Sequence, residues 1–207
     1  MIGIFGGTFD PVHYGHLRSA VEVKEYFGLS ELRLLPSAQP PHRDQPSVSA
    51  QMRLQMLHLA IKDQQGLIID SRELARAGWS YMVDTLQSLR QDFPEQALLL
   101  FMGMDAFNNL TSWHQWQQLF AFAHVVVMTR PGYQTPALDS FLSAKYTEQK
   151  HKLTEQAAGC LYFLPVTPLD ISATAIRTIF AEKRNASFLL PEPVIQYINQ
   201  HGLYQQG

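Results

Sequence analysis

Two histidines, His13 and His16, stand three residues apart in the stretch GGTFDPVHYGHL, residues 6–17, just after a glycine pair and a threonine. Gly6 and Gly7 carry no side chain, so a ligand can approach their backbone closely. Free amides and the positive end of a following helix suit a phosphate. Imidazoles on one helical turn can donate hydrogen bonds to its oxygens and, when protonated, add charge. The same residues also fit an ordinary strand–turn–helix whose histidines cap the helix or pair with backbone. A zinc site would need further ligands at suitable spacing, which this pair lacks, so no metal held by protein side chains is expected.

A second cluster lies far along the chain in DISATAIRTIF, residues 170–180. Ser172 fits a helix N-cap with free amides behind it. Ser172 and Thr174 offer hydroxyls, and Arg177 offers a planar fork that can clamp a phosphate. Alone, this segment reads equally as a capped helix with a solvated arginine. Its interest is that it could face the first cluster across one polyphosphate. No Ser-His-Asp or Cys-His arrangement for covalent catalysis is evident.

Six apolar runs could build the frame for these clusters: 2–5, 32–35, 67–70, 97–102, 124–128 and 160–164. Most are continuous rather than alternating, as expected of parallel strands covered on both faces. Helical spacing lies between them. Leu17, Ala20, Val21, Lys24 and Phe27 form one set with Gly28 as its stop; Met52, Met56, Leu59 and Ala60 form a second, and Val83, Leu86 and Leu89 a third. Residues 134–156 are the hardest to read and are expected to be helical, with no clear start. The alternation predicts an α/β protein with a doubly wound, mainly parallel, Rossmann-like sheet. We expect one domain over 1–207, with a helical C-terminal part from about 170 packed on it. In such sheets ligands sit beyond the carboxyl ends of the strands. Residues 6–8, 36–43, 103–105, 130–132 and 172–177 all fall there.

Composition narrows the ligand. The chain has 207 residues, 46% of them hydrophobic and 16% charged, which favours a globular protein over a disordered one. Its formal charge is −2, against the basic excess of most duplex binders, so a small multiply charged ligand is expected rather than a nucleic acid. No run approaches a membrane span, no signal peptide is evident, and a single cysteine, Cys160, cannot form an internal disulfide. A cytoplasmic protein without a membrane partner is expected. Oligomeric state is not legible in the sequence.

GGTFDPVHYGHL with a distant ISATAIR resembles the nucleotidyltransferase superfamily, whose members carry H-x-G-H and S-[ST]-x-x-R signatures. Further blocks extend the resemblance, in order, over nearly the whole chain. They are PSAQPPHR at 36–43, RAGWSYMVDTL at 76–86, FMGMDAFNNLTSWHQW at 101–116, RPGY at 130–133 and LLPEPVIQYINQHGLY at 189–204. Within the superfamily these are similar to the bacterial nicotinate-nucleotide adenylyltransferases.

That resemblance implies transfer of AMP from ATP to nicotinate mononucleotide, giving deamido-NAD and pyrophosphate by in-line attack without a covalent intermediate. It implies catalytic roles for His16, His13 and Arg177. His16 would lie against the α-phosphate. Gly6, Gly7, Thr8, Phe9 and His13 would complete the phosphate site, Ser172, Thr174 and Arg177 would hold the β and γ groups, and Gly103 and Asp105 would meet the ATP ribose. For the pyridine nucleotide it implies Trp113 stacking on the ring, amides near Tyr81, Met82, Val83 and His114 on the carboxylate, and His42, Arg43 and Arg130 on the phosphate. Mg2+ is implied with ATP, held mainly by phosphates. Two departures are visible: Met82 stands where many relatives have threonine, which bears on acid against amide acceptors, and the second motif reads Ser-Ala-Thr.

Two other readings share some of these residues. Relatives using an acceptor such as phosphopantetheine resemble the chain at both nucleotide motifs, but are shorter and lack the 80–86 and 112–116 blocks. A non-catalytic nucleotide-binding module would be marked by loss of His16 or Arg177, and both are present.

Overall fold

A computed structural model describes residues 1–39, 46–76, 78–134 and 136–205. The six expected strands are found: β1 (Ile2–Gly7), β2 (Glu31–Pro36), β3 (Leu67–Ile69), β4 (Leu98–Gly103), β5 (His124–Thr129) and β6 (Leu161–Pro165). They form one sheet in the order β3-β2-β1-β4-β5-β6, with all neighbours parallel. This is the doubly wound α/β architecture, and its order reverses between β1 and β4.

The continuous apolar runs divide cleanly between the sheet's two faces. Phe5, Leu32, Leu34, Leu99, Phe101 and Val126 enter one buried layer. Ile2, Ile4, Leu35, Leu98, Leu100, Val125 and Val127 enter the other. Period-two alternation is thus present in space, yet invisible in the sequence because both faces are apolar.

Helices α1 (Tyr14–Phe27), α2 (Ala50–Ile61), α3 (Arg72–Ala75), α4 (Met82–Asp92), α5 (Met104–Asn108) and α6 (Leu119–Phe122) occupy the connections as far as β5. Gly28 ends α1 in the left-handed region at φ 63°, and its amide bonds back to Glu25 O, as its C-cap position requires. After β5 come α7 (Ser140–Lys145), α8 (Lys152–Glu155), α9 (Ala173–Ala181) and α10 (Glu192–Gln200). None of the described helices is long and apolar enough to cross a membrane.

Several expectations need correction. β1 runs on through Gly6 and Gly7, which pair with Leu35 and Pro36, so the glycines close the strand rather than follow it. β3 stops at Ile69. Asp70 bonds Leu34 O through its amide, but its carboxylate turns to Arg72 and Arg33, which starts α3. In α2 the buried face is Arg53, Met56, Leu57 and Ile61, while Met52, Leu59 and Ala60 lie at its margin. The helix is rotated because a buried arginine, rather than a methionine, points inward. Residues 136–156 are two short helices instead of a long one. Asp139 caps α7 by accepting from the Leu142 amide, and the chain then extends at Tyr146 to bridge Leu161 of the edge strand β6.

Candidate active site

The site sits where the sheet order reverses. β1 and β4 pair only as far as Phe5 and Phe101, and beyond that Gly6 and Gly7 continue beside β2. The crevice between the two strand ends is where this fold binds ligands. A Cβ on Gly6 would lie 2.7 Å from Cε of Met82, the movable end of that side chain. The first residue of α4 therefore already overhangs the end of β1.

From Gly7 the chain turns through Thr8 and Phe9. Phe9 adopts φ 50°, a left-handed conformation uncommon outside glycine. Its ring is 2% exposed and meets His16 edge-on with centroids 5.1 Å apart. The Phe9 side chain is thus core support, which leaves only its backbone to face a nucleotide. His13 then occupies the N-cap position of α1 without making a side-chain cap bond. His13 and His16 stack at 3.8 Å with their planes 29° apart. Both rings are walled by Phe5 and Phe9 or by each other. His13 is 5% exposed, and its Nδ1 has no hydrogen-bond partner among the described residues. Burial lowers its pKa to about 4, so it is a neutral imidazole at pH 7. Its Nδ1 is buried on the side that faces Gly15.

Gly15 explains the spacing between the histidines. A Cβ on it would stand 2.9 Å from both Cε1 and Nδ1 of His13 and 3.4 Å from Ile171 O. The stack and the segment before α9 close on that glycine from two sides.

The second motif arrives at the same place. Ser172 caps α9 by accepting from the Ala175 amide at 3.1 Å. One turn on, the Arg177 guanidinium donates to Asp10 O at 2.8 Å and to Thr174 Oγ1 at 3.2 Å. Asp10 precedes His13 by three residues. The amino-terminal imidazoles and the distant guanidinium thus meet on one loop.

The remaining expected residues divide into those brought in and those not. Gly103 ends β4 beside Met128 of β5, and Asp105 lies in the first turn of α5 with Oδ1 folded back toward Gly103, 2.8 Å from where a Cβ would stand. Tyr81 is the N-cap of α4, and its ring lies against His114 at 4.4 Å. This joins the 80–83 and 110–116 segments. Val83 is buried in the core, which leaves its backbone alone to meet a ligand. Trp113, half-buried, packs with Tyr81, Met82 and Met104 against the same apolar layer. Arg130 follows β5, and its side chain, 75% exposed, reaches toward Asp170 at 3.7 Å. That contact groups it with the 170–177 motif rather than with Tyr81 and Trp113. His42 and Arg43 lie outside the described residues.

Several supporting residues have no signature in the sequence. Ser80 Oγ accepts from the amides of Ala38 and Gln39 at 3.0 and 3.3 Å, and the Ser80 amide donates to Gln39 O, tying the segment after β2 to the start of α4. Glu73, 3% exposed, accepts from Thr85 Oγ1 at 2.8 Å, and burial raises its carboxyl above the usual range. Arg53, 1% exposed, donates to Thr8 O at 2.7 Å and Ala38 O at 3.3 Å. Asp10 and Tyr204 bond side chain to side chain at 2.6 Å. Of these, only Arg53 could have been suspected, as a charge within an otherwise apolar helical face.

Residues 4–179 match the cytidylyltransferase-like family. The chain belongs to that family. It is 47% identical over 208 residues to a protein of Methylococcus capsulatus described as a probable nicotinate-nucleotide adenylyltransferase, covering 99% of each chain. It is 47% identical to a Pseudomonas entomophila protein of the same description, covering 99% of this chain and 94% of that one. Among solved structures, the nicotinic acid mononucleotide adenylyltransferase of Plasmodium falciparum complexed with NaAD shares the fold. Its TM-score is 0.76 at 16% identity, over 100% of this chain and 98% of that one. A Vibrio parahaemolyticus protein described as a putative nicotinate-nucleotide adenylyltransferase also shares it, with TM-score 0.65 at 17% identity. In this cytidylyltransferase-like chain, the imidazole pair and Arg177 lie at either end of the matched span, and the sheet brings both to the strand switch.

Proposed function

We propose that this chain is a nicotinate-nucleotide adenylyltransferase, which transfers AMP from ATP to nicotinate mononucleotide and releases pyrophosphate in NAD biosynthesis. The observation that carries the reading is the meeting of the His13–His16 stack with Arg177 around the backbone of Asp10. Full-length relatives described by that activity support it.

The reaction needs no protein nucleophile. A phosphate oxygen of the mononucleotide forms a bond to the α-phosphorus of ATP as the bond from that phosphorus to the bridging oxygen of pyrophosphate breaks. The site's task is to align the two phosphates and stabilise the charge that develops. His16 faces the α-phosphate, braced by Phe9 and by the neutral His13 stacked on it. Arg177 and the hydroxyls of Ser172 and Thr174 hold the leaving pyrophosphate. Asp105 accepts from ribose hydroxyls. Tyr81, Met82, His114 and Trp113 frame the pyridine, with Val83 contributing its amide. His42, Arg43 and Arg130 remain candidates for the mononucleotide phosphate.

The donor set around the histidines, made of imidazoles, hydroxyls and a guanidinium, suits phosphate oxygens rather than a divalent cation. Mg2+ would therefore enter with ATP, ligated by phosphates and water, and would neutralise charge on the triphosphate. The use of ATP supports a cytoplasmic setting.

The test is pyrophosphate release from ATP with nicotinate mononucleotide, nicotinamide mononucleotide and phosphopantetheine in parallel. Turnover with the nicotinate form is expected. Activity with neither pyridine mononucleotide would overturn the reading, and activity with phosphopantetheine alone would replace it.

A further inference from the structure

The loop that carries the histidines is held from four directions, and three of the holding groups, all but Arg177, have no place in the chemistry so far. Asp10 is 5% exposed, and both its carboxylate oxygens are engaged. Oδ2 accepts from the Ser47 amide at 2.7 Å, and Oδ1 accepts from the Tyr204 hydroxyl at 2.6 Å. Its carbonyl accepts from Arg177 at 2.8 Å. Two residues earlier the Thr8 carbonyl accepts from the buried Arg53, which also donates to Ala38 O at the end of β2. No direct ion pair joins Arg53 to Asp10 among the described residues, but the two charges feel each other through the core, and Arg53 and Arg177 both act on Tyr204.

Tyr204 reaches Asp10 only because the end of the chain turns back. Gly202 and Tyr204 both take left-handed backbone, at φ 61° and 60°. For tyrosine that conformation is unfavourable, and surrounding structure must hold it. The hydroxyl bond to Asp10 is the visible compensation, while Leu203 anchors the turn in the core with its amide on Ile198 O.

We infer that Tyr204 and Arg53, acting through Asp10 and Thr8, are positioning residues that fix the phosphate loop and through it the direction of Arg177. This rests on the adenylyltransferase reading given above. Neither residue touches the reacting groups. Tyr204 sets the Asp10 side chain, Asp10 presents its carbonyl to Arg177, and Arg53 pins the same loop to the end of β2. The C-terminal turn is then a working part of the triphosphate site. Burial and the bond to the Asp10 carboxylate raise the pKa of the Tyr204 hydroxyl.

The test is a double-mutant cycle between Tyr204→Phe and Arg177→Ala, read by the Kd for ATP in calorimetry, by kcat and the two KM values, and by urea unfolding. Tyr204→Phe alone is expected to weaken ATP binding and lower kcat about tenfold, with the KM for the pyridine nucleotide unchanged. On the Arg177→Ala background the same change is expected to have no further effect on either quantity. A purely structural tyrosine would lower the unfolding midpoint equally on both backgrounds and leave kcat per folded molecule intact; that result, or additive losses, would overturn the inference. Asp10→Asn, which preserves shape and an acceptor, provides a second cycle with the same expected non-additivity should Tyr204→Phe fail to fold. If the wild type turns over no pyridine mononucleotide, it is the functional reading that fails, and the ATP-binding cycle still decides whether Tyr204 positions Arg177.

Discussion

Replacing Gly15 with alanine tests the close packing beside the histidine stack. The new Cβ would stand 2.9 Å from two atoms of the His13 ring, and the ring must retreat by about half an ångström to restore an ordinary contact of 3.4 Å. It has little room: His16 stacks behind it at 3.8 Å, and Ile171 O faces the same Cβ. Stability and activity should then part company. Removing a glycine from the first turn of a helix contributes roughly 0.5–1 kcal/mol, while overpacking a filled site costs about 1–3 kcal/mol. The net loss of stability is therefore about 2.5 kcal/mol at most. Catalysis depends more steeply on position, with a 1 Å error costing on the order of a hundredfold. Half that displacement, at a ring stacked on the histidine that faces the α-phosphate, is expected to lower kcat/KM roughly tenfold. The assay is steady-state pyrophosphate release, with melting curves on the same samples. His13→Ala removes both clashing atoms, so adding Gly15→Ala to it should cost no further activity. Wild-type kcat/KM in Gly15→Ala, or the same penalty with and without His13, would refute the steric argument.

His16→Ala should keep its melting temperature within a few degrees and raise the barrier on the order of 2–4 kcal/mol; a variant turning over like the wild type would remove His16 from the mechanism. Acid should destabilise the protein through His13. Its folded pKa of about 4 lies below the ordinary 6.5, so the unfolded chain takes up a proton that the folded one refuses, and stability is lost as pH falls from about 6.5 to 4. The full contribution is about 3 kcal/mol. His124 is lowered in the same direction by burial, so urea titrations of His13→Asn should show a reduced slope rather than none. Arg90 lies at the opposite, amino-terminal end of the sheet, where its guanidinium donates to the carbonyls of Phe93, Pro94, Gln96, Phe122 and Ala157. Arg90→Met should lower unfolding free energy by roughly 2–4 kcal/mol while leaving kcat per folded molecule unchanged.

What could be read from the chain follows from how locally each feature is encoded. The strands are legible because an apolar run covered on both faces needs only itself to be recognised, and the strand ends then locate residues 6–8, 36–43, 103–105, 130–132 and 172–177. The sequence places Gly6 and Gly7 after the first strand, whereas pairing with Leu35 and Pro36 carries β1 through them. The phase of α2 was missed because a buried charge breaks the rule that polar residues face outward. Nothing near Arg53 in sequence announces the carbonyls of Thr8 and Ala38 that it serves. The same holds for Asp10 and Tyr204, 194 positions apart, and for Tyr146, whose bridge to Leu161 replaces the expected helix. Groups that touch a ligand are constrained by the ligand's chemistry, so their types and spacing form a recognisable signature. Groups that hold those groups in place are constrained only by the folded backbone beside them, where one buried donor can reach any nearby carbonyl. A site's reactive residues are therefore readable before its supports, and the supports are where mutation can separate geometry from chemistry.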